Sequence, residues 1–244
     1  MPHGLPDDAN IVKSEWSYNL DDMAELAART GGSMLLDRLG DTVYRNTFTE
    51  GLKNVIPQGL PFVGAVQLTG ESTIQGGVAV KLYCPAGVGN YALILLSIYR
   101  PLSAFAGYEW AFVAMEDLPE MAWYLYDYNA PLSYRYGIRW NRASGGWDVL
   151  DAVTGWTQFY AQVEIWVNEL PWWRCKVVLD ITGANYLSVK INDNTYDLSA
   201  YDPVVIGPVG IPHHDAVFGF ESDNVADGTM LLDDINVTQN EPVP

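Results

Sequence analysis

The sequence predicts an all-β protein: a two-sheet antiparallel β-sandwich with an N-terminal arm and one short helix. Two observations lead there. Between Trp173 and Thr238, apolar residues recur at every second position, run after run, and turn residues such as Thr182-Gly183-Ala184-Asn185 and Asn192-Asp193-Asn194 separate the runs. Period-two alternation between turn clusters marks strands with one buried face. About a dozen such segments recur, and no repeat or Ser/Gly-rich linker divides them. That many strands exceed what one open twisted sheet holds, so two packed sheets are expected.

Taken in order, residues 1–33 form the arm and helix. Pro2, Pro6 and Asp7-Asp8 disfavour regular structure near the start. Leu20 to Arg29 reads as a helix: Asp21 or Asp22 caps it, Ala and Leu favour it, and Gly31-Gly32 stops it. Its Met23, Leu26 and Ala27 share a face that must pack on its own domain or on a neighbouring subunit. The sandwich spans 34–238, opening with an alternating stretch from Asp41 to Phe48. Further strands are expected at 62–69, 78–83, 91–99, 108–115, 123–128, 134–141, 146–151, 157–167 and 173–181, followed by the C-terminal runs. Residues 239–244 are polar and Pro-bearing, and read as a frayed tail.

Composition narrows the function. The chain has 244 residues, 49% of them hydrophobic, which suffices for a substantial core. Its net charge is −17, and no Lys/Arg cluster interrupts it, so nucleic acid is excluded as a partner. Cys84 and Cys175 both sit in strand-like runs and read as buried thiols, although one disulfide stays open. The N-terminus lacks a basic region followed by an apolar one, so no signal peptide is expected. The most apolar stretch, Tyr91 to Tyr99, is too short to span a bilayer. A protein without a membrane partner is expected, either cytoplasmic or leaving the cell by lysis or assembly.

Several stretches together resemble the concanavalin A-like, or laminin-G-like, jelly-roll superfamily. They are Phe48-Thr49-Glu50-Gly51, the spaced Trp140, Trp147 and Trp156, Val178-Leu179-Asp180 followed by Leu187 to Asn192, and the closing Leu232-Asp233-Asp234-Ile235-Asn236-Val237. The resemblance covers roughly residues 41–238. It implies two curved antiparallel sheets packed face to face. Lectins, family-16-type glucanases, carbohydrate-binding modules and phage virion modules share that fold, so it leaves function open.

Catalysis finds little support, and a non-enzyme is expected. The glucanases of this superfamily set their carboxylates on one strand as Glu-x-Asp-x-x-Glu. The nearest stretch here is Met115-Glu116-Asp117-Leu118-Pro119-Glu120, in which adjacent Glu116 and Asp117 face opposite sides and Pro119 interrupts the strand. It reads as an acidic loop. His213-His214, between Pro212 and Asp215, reads as a loop with surface imidazoles. In many carbohydrate-binding jelly rolls a glutamate after the first strand and an aspartate of the last share a structural calcium. The resemblance places these at Glu50 and Asp234, with Asp233 beside it. Turn capping is the competing reading for these residues.

Two functional readings follow. The first is a structural component of a virion or phage-like particle, such as a capsid decoration or minor head or tail protein. It would join other protein subunits, as a homo-oligomer or on a capsid-like scaffold, through the arm and an aromatic sheet face. The competing view of residues 1–15 is a disordered tail. The alternative is a carbohydrate-binding module or lectin. On a strand, Tyr124, Tyr126 and Tyr128 line one face, and this stripe with Trp172 and Trp173 would stack a glycan or cover a partner; Trp140, Trp147 and Trp156 are further candidate platforms. Core packing is the competing reading for these aromatics. A family-16-like glycoside hydrolase is a third option.

Overall fold

The computed structural model describes residues 40–49, 51–52, 55–60, 65–70, 77–87, 90–99, 102–115, 118–129, 132–161, 172–208, 211–221 and 227–242. Sixteen strands form within them: β1 (Asp41–Asn46), β2 (Val55–Leu60), β3 (Ala65–Thr69), β4 (Ala79–Cys84), β5 (Tyr91–Ile98), β6 (Phe105–Ala114), β7 (Glu120–Asn129), β8 (Leu132–Asn141), β9 (Gly146–Asp151), β10 (Gly155–Ala161), β11 (Trp173–Asp180), β12 (Asn185–Ile191), β13 (Asn194–Asp197), β14 (Val204–Val205), β15 (His213–Glu221) and β16 (Gly228–Gln239). No helix occurs among the described residues, and none there could cross a membrane as a helix. The arm, the Leu20 to Arg29 helix, Glu50, Glu116 and Asp117 lie outside the described residues.

The strands make two eight-stranded antiparallel sheets, as the alternation predicts. Sheet A runs β13-β12-β11-β6-β16-β4-β3, with β1 also on β16. Sheet B runs β10-β9-β8-β7-β15-β5-β2, with β14 on β8. First and last strands are neighbours: Asn46 pairs with Ile235. One edge of β16 serves both β4 (from Gly228 to Leu232) and β1 (from Ile235 to Gln239). Between them its pairing with β6 is interrupted at a bulge, where Asp234 adopts left-handed backbone at φ 55. Aspartate is among the residues that tolerate this conformation.

The core lies between the sheets. Alternation puts Ala92, Ile94, Leu96 and Ile98 of β5 inside, along with Trp123 and Leu125 of β7. Trp123 is its aromatic centre: the ring stacks on Trp147 at 5.6 Å and tilts against Trp110 at 5.3 Å and Phe112 at 4.9 Å. Trp140 and Trp147 are buried, so neither is an exposed platform. Trp173 is likewise a core residue, 7% exposed, packed 6.4 Å from Trp147. Its register opposite the fully buried Phe112 of β6 turns its side chain inward. Cys84 and Cys175 are both buried and neither is in a disulfide, which closes the disulfide alternative.

The break expected at Pro119 is present: β6 ends at Ala114 and Glu120 opens the next strand, β7. Two expectations need correction. His213 and His214 are not a surface loop but the first residues of β15, and His214 is buried. Within the expected tail, residues 239–242 are anchored rather than frayed, and 243–244 lie outside the described residues. Glu241 is 3% exposed and accepts from the buried Lys176 Nζ at 3.0 Å, while the Asn240 N–H donates to Ser103 Oγ. A buried lysine needs a countercharge, and the polar tail supplies it. Alternation also missed β2, whose Pro57 and Gly59 read as loop; it sits at the edge of sheet B, where proline is tolerated.

Candidate functional site

The two outer faces differ. On sheet A the outward residues Glu109, Ala111 and Val113 of β6 and Leu231 and Asp233 of β16 are all buried. On sheet B the outward row of β7 is only half-buried. With Trp123, Leu125 and Asp127 turned inward, Ala122, Tyr124, Tyr126 and Tyr128 stand on the outer face. Register extends the face sideways. Val217 and Asp215 of β15 lie beside Tyr124 and Tyr126, and Gly137 and Arg135 of β8 flank them on the other side.

A row of rings crosses this face. Trp156 of β10 lies 5.8 Å from Tyr124, Tyr124 lies 6.3 Å from Tyr126, and Tyr126 lies 5.8 Å from Tyr128 with planes 7° apart. The row continues into His213, stacked 4.3 Å from Tyr128 and 5.3 Å from Tyr99. Tyr99 is 72% exposed. Gly137 makes room for Trp156: a Cβ there would stand 2.9 Å from the indole Cη2. Beside the row runs a groove of about 330 Å³, lined by Tyr91, Leu93, Glu120, Tyr124, Tyr126 and Val217 among others. That volume lies at the lower end of the range for small-ligand sites.

Polar groups sit at both ends. At one, Arg139 donates through Nε to Asp148 and through an Nη to Glu120, each at 2.8 Å, and its guanidinium lies 4.4 Å from the Trp156 ring centre. At the other, Asp215 accepts from Ser97 Oγ at 2.6 Å and lies 3.5 Å from His213 Nε2. Burial raises the Tyr124 hydroxyl pKa above its usual value, and Glu120 and Tyr126 push it the same way, while Arg135 and Arg139 oppose them. Behind the face, buried Asp127 and His214 stand 3.3 Å apart. Burial lifts the carboxyl to about 6, and burial, with His213 nearby, lowers the imidazole to about 4.

The sequence-predicted residues therefore divide. Tyr124, Tyr126 and Tyr128 come together on the open face, Trp172 is half-buried at the start of β11, and Trp173 lies in the core. Trp156, also a sequence candidate, joins them through Tyr124, while Tyr99, His213, Asp215, Glu120, Arg135 and Arg139 complete the face without having been gathered from the sequence. Strand parity was the available signal: Arg135, Gly137 and Arg139 alternate with the apolar Tyr136, Ile138 and Trp140. For the expected calcium, Glu50 is outside the described residues. Asp234 Oδ1 accepts from Arg45 Nε and Nη2, each at 3.2 Å, and Asp233 Oδ1 accepts from the Asp234 N–H. The cation facing Asp234 is thus a guanidinium, and no cluster of three metal-binding side chains occurs among the described residues.

Solved structures resemble this sandwich closely enough to fix its architecture. A cellulose induced protein, Cip1, is 12% identical, superposes with a TM-score of 0.50 and covers 82% of this chain and 99% of its own. A conserved carbohydrate esterase from Shiga toxin-encoding bacteriophage phi24B is 15% identical, with a TM-score of 0.50, covering 83% of this chain and all (100%) of its own. This chain has the concanavalin A-like jelly-roll fold. A sialidase also matches at 12% identity and a TM-score of 0.46, covering 83% of this chain, but this jelly roll spans only 19% of the sialidase's length. No family model and no curated protein matches the chain. At these identities the likeness concerns the fold alone.

Proposed function

We propose that this jelly roll binds a glycan, without cleaving it, on the outer face of sheet B. One observation carries the reading: the continuous row Trp156–Tyr124–Tyr126–Tyr128–His213–Tyr99 beside a groove, with polar groups at both ends of the row. Sugar rings present apolar C–H faces and a rim of hydroxyls. Aromatic rings serve the first, and carboxylates, hydroxyls and guanidinium groups serve the second. The carbohydrate-related names of the phage esterase and of Cip1 fit this reading. Binding is preferred to hydrolysis because Glu120 and Asp148 both spend their charge on Arg139, leaving neither poised as a proton donor. The particle-component reading rests on the arm, outside the described residues, and the sheet face favours the glycan.

The test is a glycan array and polysaccharide pull-down with the wild type and a Tyr124→Ala/Tyr126→Ala variant, its fold checked by circular dichroism. Binding by the wild type that falls at least about tenfold in the variant supports the site. A folded wild type that retains no glycan at all rejects the reading.

A further inference from the structure

We infer that the glycan bound on this face carries an isolated carboxylate, and that Arg135 is the residue that receives it. This deepens the glycan-binding reading and rests on it. Arg135 pairs with Tyr126 across β8 and β7, which puts it on the outer face in the ring row. Its guanidinium carbon lies 5.8 Å from the centre of the Tyr124 ring, and that ring separates it from the groove. Among the described residues the Arg135 guanidinium makes no hydrogen bond and no ion pair, and its Nε is buried without a partner. Arg139, four positions along the same strand face, provides the contrast, since Glu120 and Asp148 close it.

A vacant guanidinium is unexpected in this chain. With 30 acidic and 13 basic residues, carboxylates are plentiful, yet among the described residues none is placed against Arg135. Partial burial of an unpaired cation is unfavourable, and a planar carboxylate arriving from outside would satisfy the fork with two charge-assisted bonds. The Tyr124 ring holds the guanidinium in place beforehand, so little ordering remains to be done on binding. Neutral hydroxyls would make weaker bonds to the same donors, which gives discrimination.

The charge of the whole chain limits what can bind. A net charge of −17 repels a densely charged polymer on approach. Screening over about 8 Å at physiological ionic strength leaves a single carboxylate free to engage its partner at contact. The favoured ligand is therefore an oligosaccharide with one uronic or other carboxyl sugar among neutral residues.

Titration calorimetry decides this. The probes are oligosaccharides terminated by glucuronate, galacturonate or sialate, together with their carboxyl-reduced counterparts, which keep every linkage and lose only the charge. They are offered to the wild type, Arg135→Gln and Arg135→Lys, each confirmed as folded by circular dichroism. The wild type should bind at least one acid form about tenfold or more tighter than its reduced form. Arg135→Gln should erase that preference while retaining binding to the reduced form, and Arg135→Lys should restore part of it. Equal binding of acid and reduced forms by the wild type, or binding of neutral glycans alone, overturns the proposal and leaves the glycan reading intact. Persistence of the preference in Arg135→Gln overturns the role of Arg135. Failure of every probe and every array glycan against the folded wild type overturns both readings.

Discussion

The Tyr186 hydroxyl reaches across the core to Gly137, accepting its N–H at 2.7 Å and donating to the Leu150 carbonyl at 2.8 Å. Tyr186 belongs to β12 of sheet A, whereas Gly137 and Leu150 belong to sheet B. The contact fills a gap in the ladder: along this edge of β8, the pairing with β14 ends at Arg135 and that with β9 begins at Ile138. Tyr186→Phe leaves a buried donor and a buried acceptor unmade. It is expected to cost about 1–3 kcal/mol in urea unfolding, and it should also loosen the strand that carries Arg135 and Arg139.

Gly137 has a second role on the opposite face. A Cβ there would lie 2.9 Å from the Trp156 Cη2 and 3.0 Å from the Leu150 Cβ, so Gly137→Ala must displace the indole. The expected result is a stability loss of about 1–3 kcal/mol, as for other overpacked sites. Glycan affinity should fall severalfold as Trp156 leaves its place beside Tyr124. Chemical denaturation and calorimetry on the same variant separate the two effects.

Asp127 and His214 give stability a signed pH dependence. Asp127 titrates near 6 in the folded protein against 3.8 for the free side chain, so the folded state alone keeps this proton between those values. Its contribution therefore falls as pH rises through that window. His214 titrates near 4 against 6.5, so its contribution falls as pH drops from 6.5 to 4. The two slopes oppose and flatten the wild-type profile. Asp127→Asn should gain about 2–3 kcal/mol relative to wild type between pH 4 and pH 7. His214→Gln should show the reverse trend, losing stability as pH rises from 4 to 6. Urea midpoints at several pH values check both.

Lys176 and Glu241 form an ion pair at 2.9 Å with side chains 4% and 1% exposed. Thr238 Oγ1 also bonds the Glu241 carboxylate. Lys176→Met strands that carboxylate in the interior and should cost about 3–5 kcal/mol. Adding Glu241→Leu should recover much of the loss, which thermal unfolding of the single and double variants would show. A single variant as stable as the double would mean that the pair is not coupled.

The fold was legible because alternation dominates its strands. Ile94, Leu96 and Ile98, or Val177 and Leu179, report a buried face without any knowledge of their partners. The site was half legible for the same reason. Parity alone put Tyr124, Tyr126 and Tyr128 on one face, but nothing local said that this face is open while the corresponding row of β6 is not. Trp173 was misplaced because one aromatic fits a core and a platform equally well, and only its register opposite Phe112 decides. Arg135 went ungathered because its place beside Tyr126 depends on the register of the β7–β8 hairpin, and Asp215 because it reaches Tyr126 from a strand far away in sequence. Glu241 was missed because its partner lies 65 residues away.

The placement of β15 and β16 bears on how the molecule is made. These are the last two strands of the described chain, yet each occupies the interior of its sheet: β15 between β7 and β5, β16 between β6 on one side and β4 and β1 on the other. The strands synthesised before them must wait with open edges until β15 and β16 emerge. Neither sheet can close before then, and such non-local pairing is slow. Until that point the edges of β5, β6 and β7 stay bare. Strand pairing between neighbouring nascent chains is the hazard at that stage, and a chaperone that shields those edges would raise yield more than any change to the finished core.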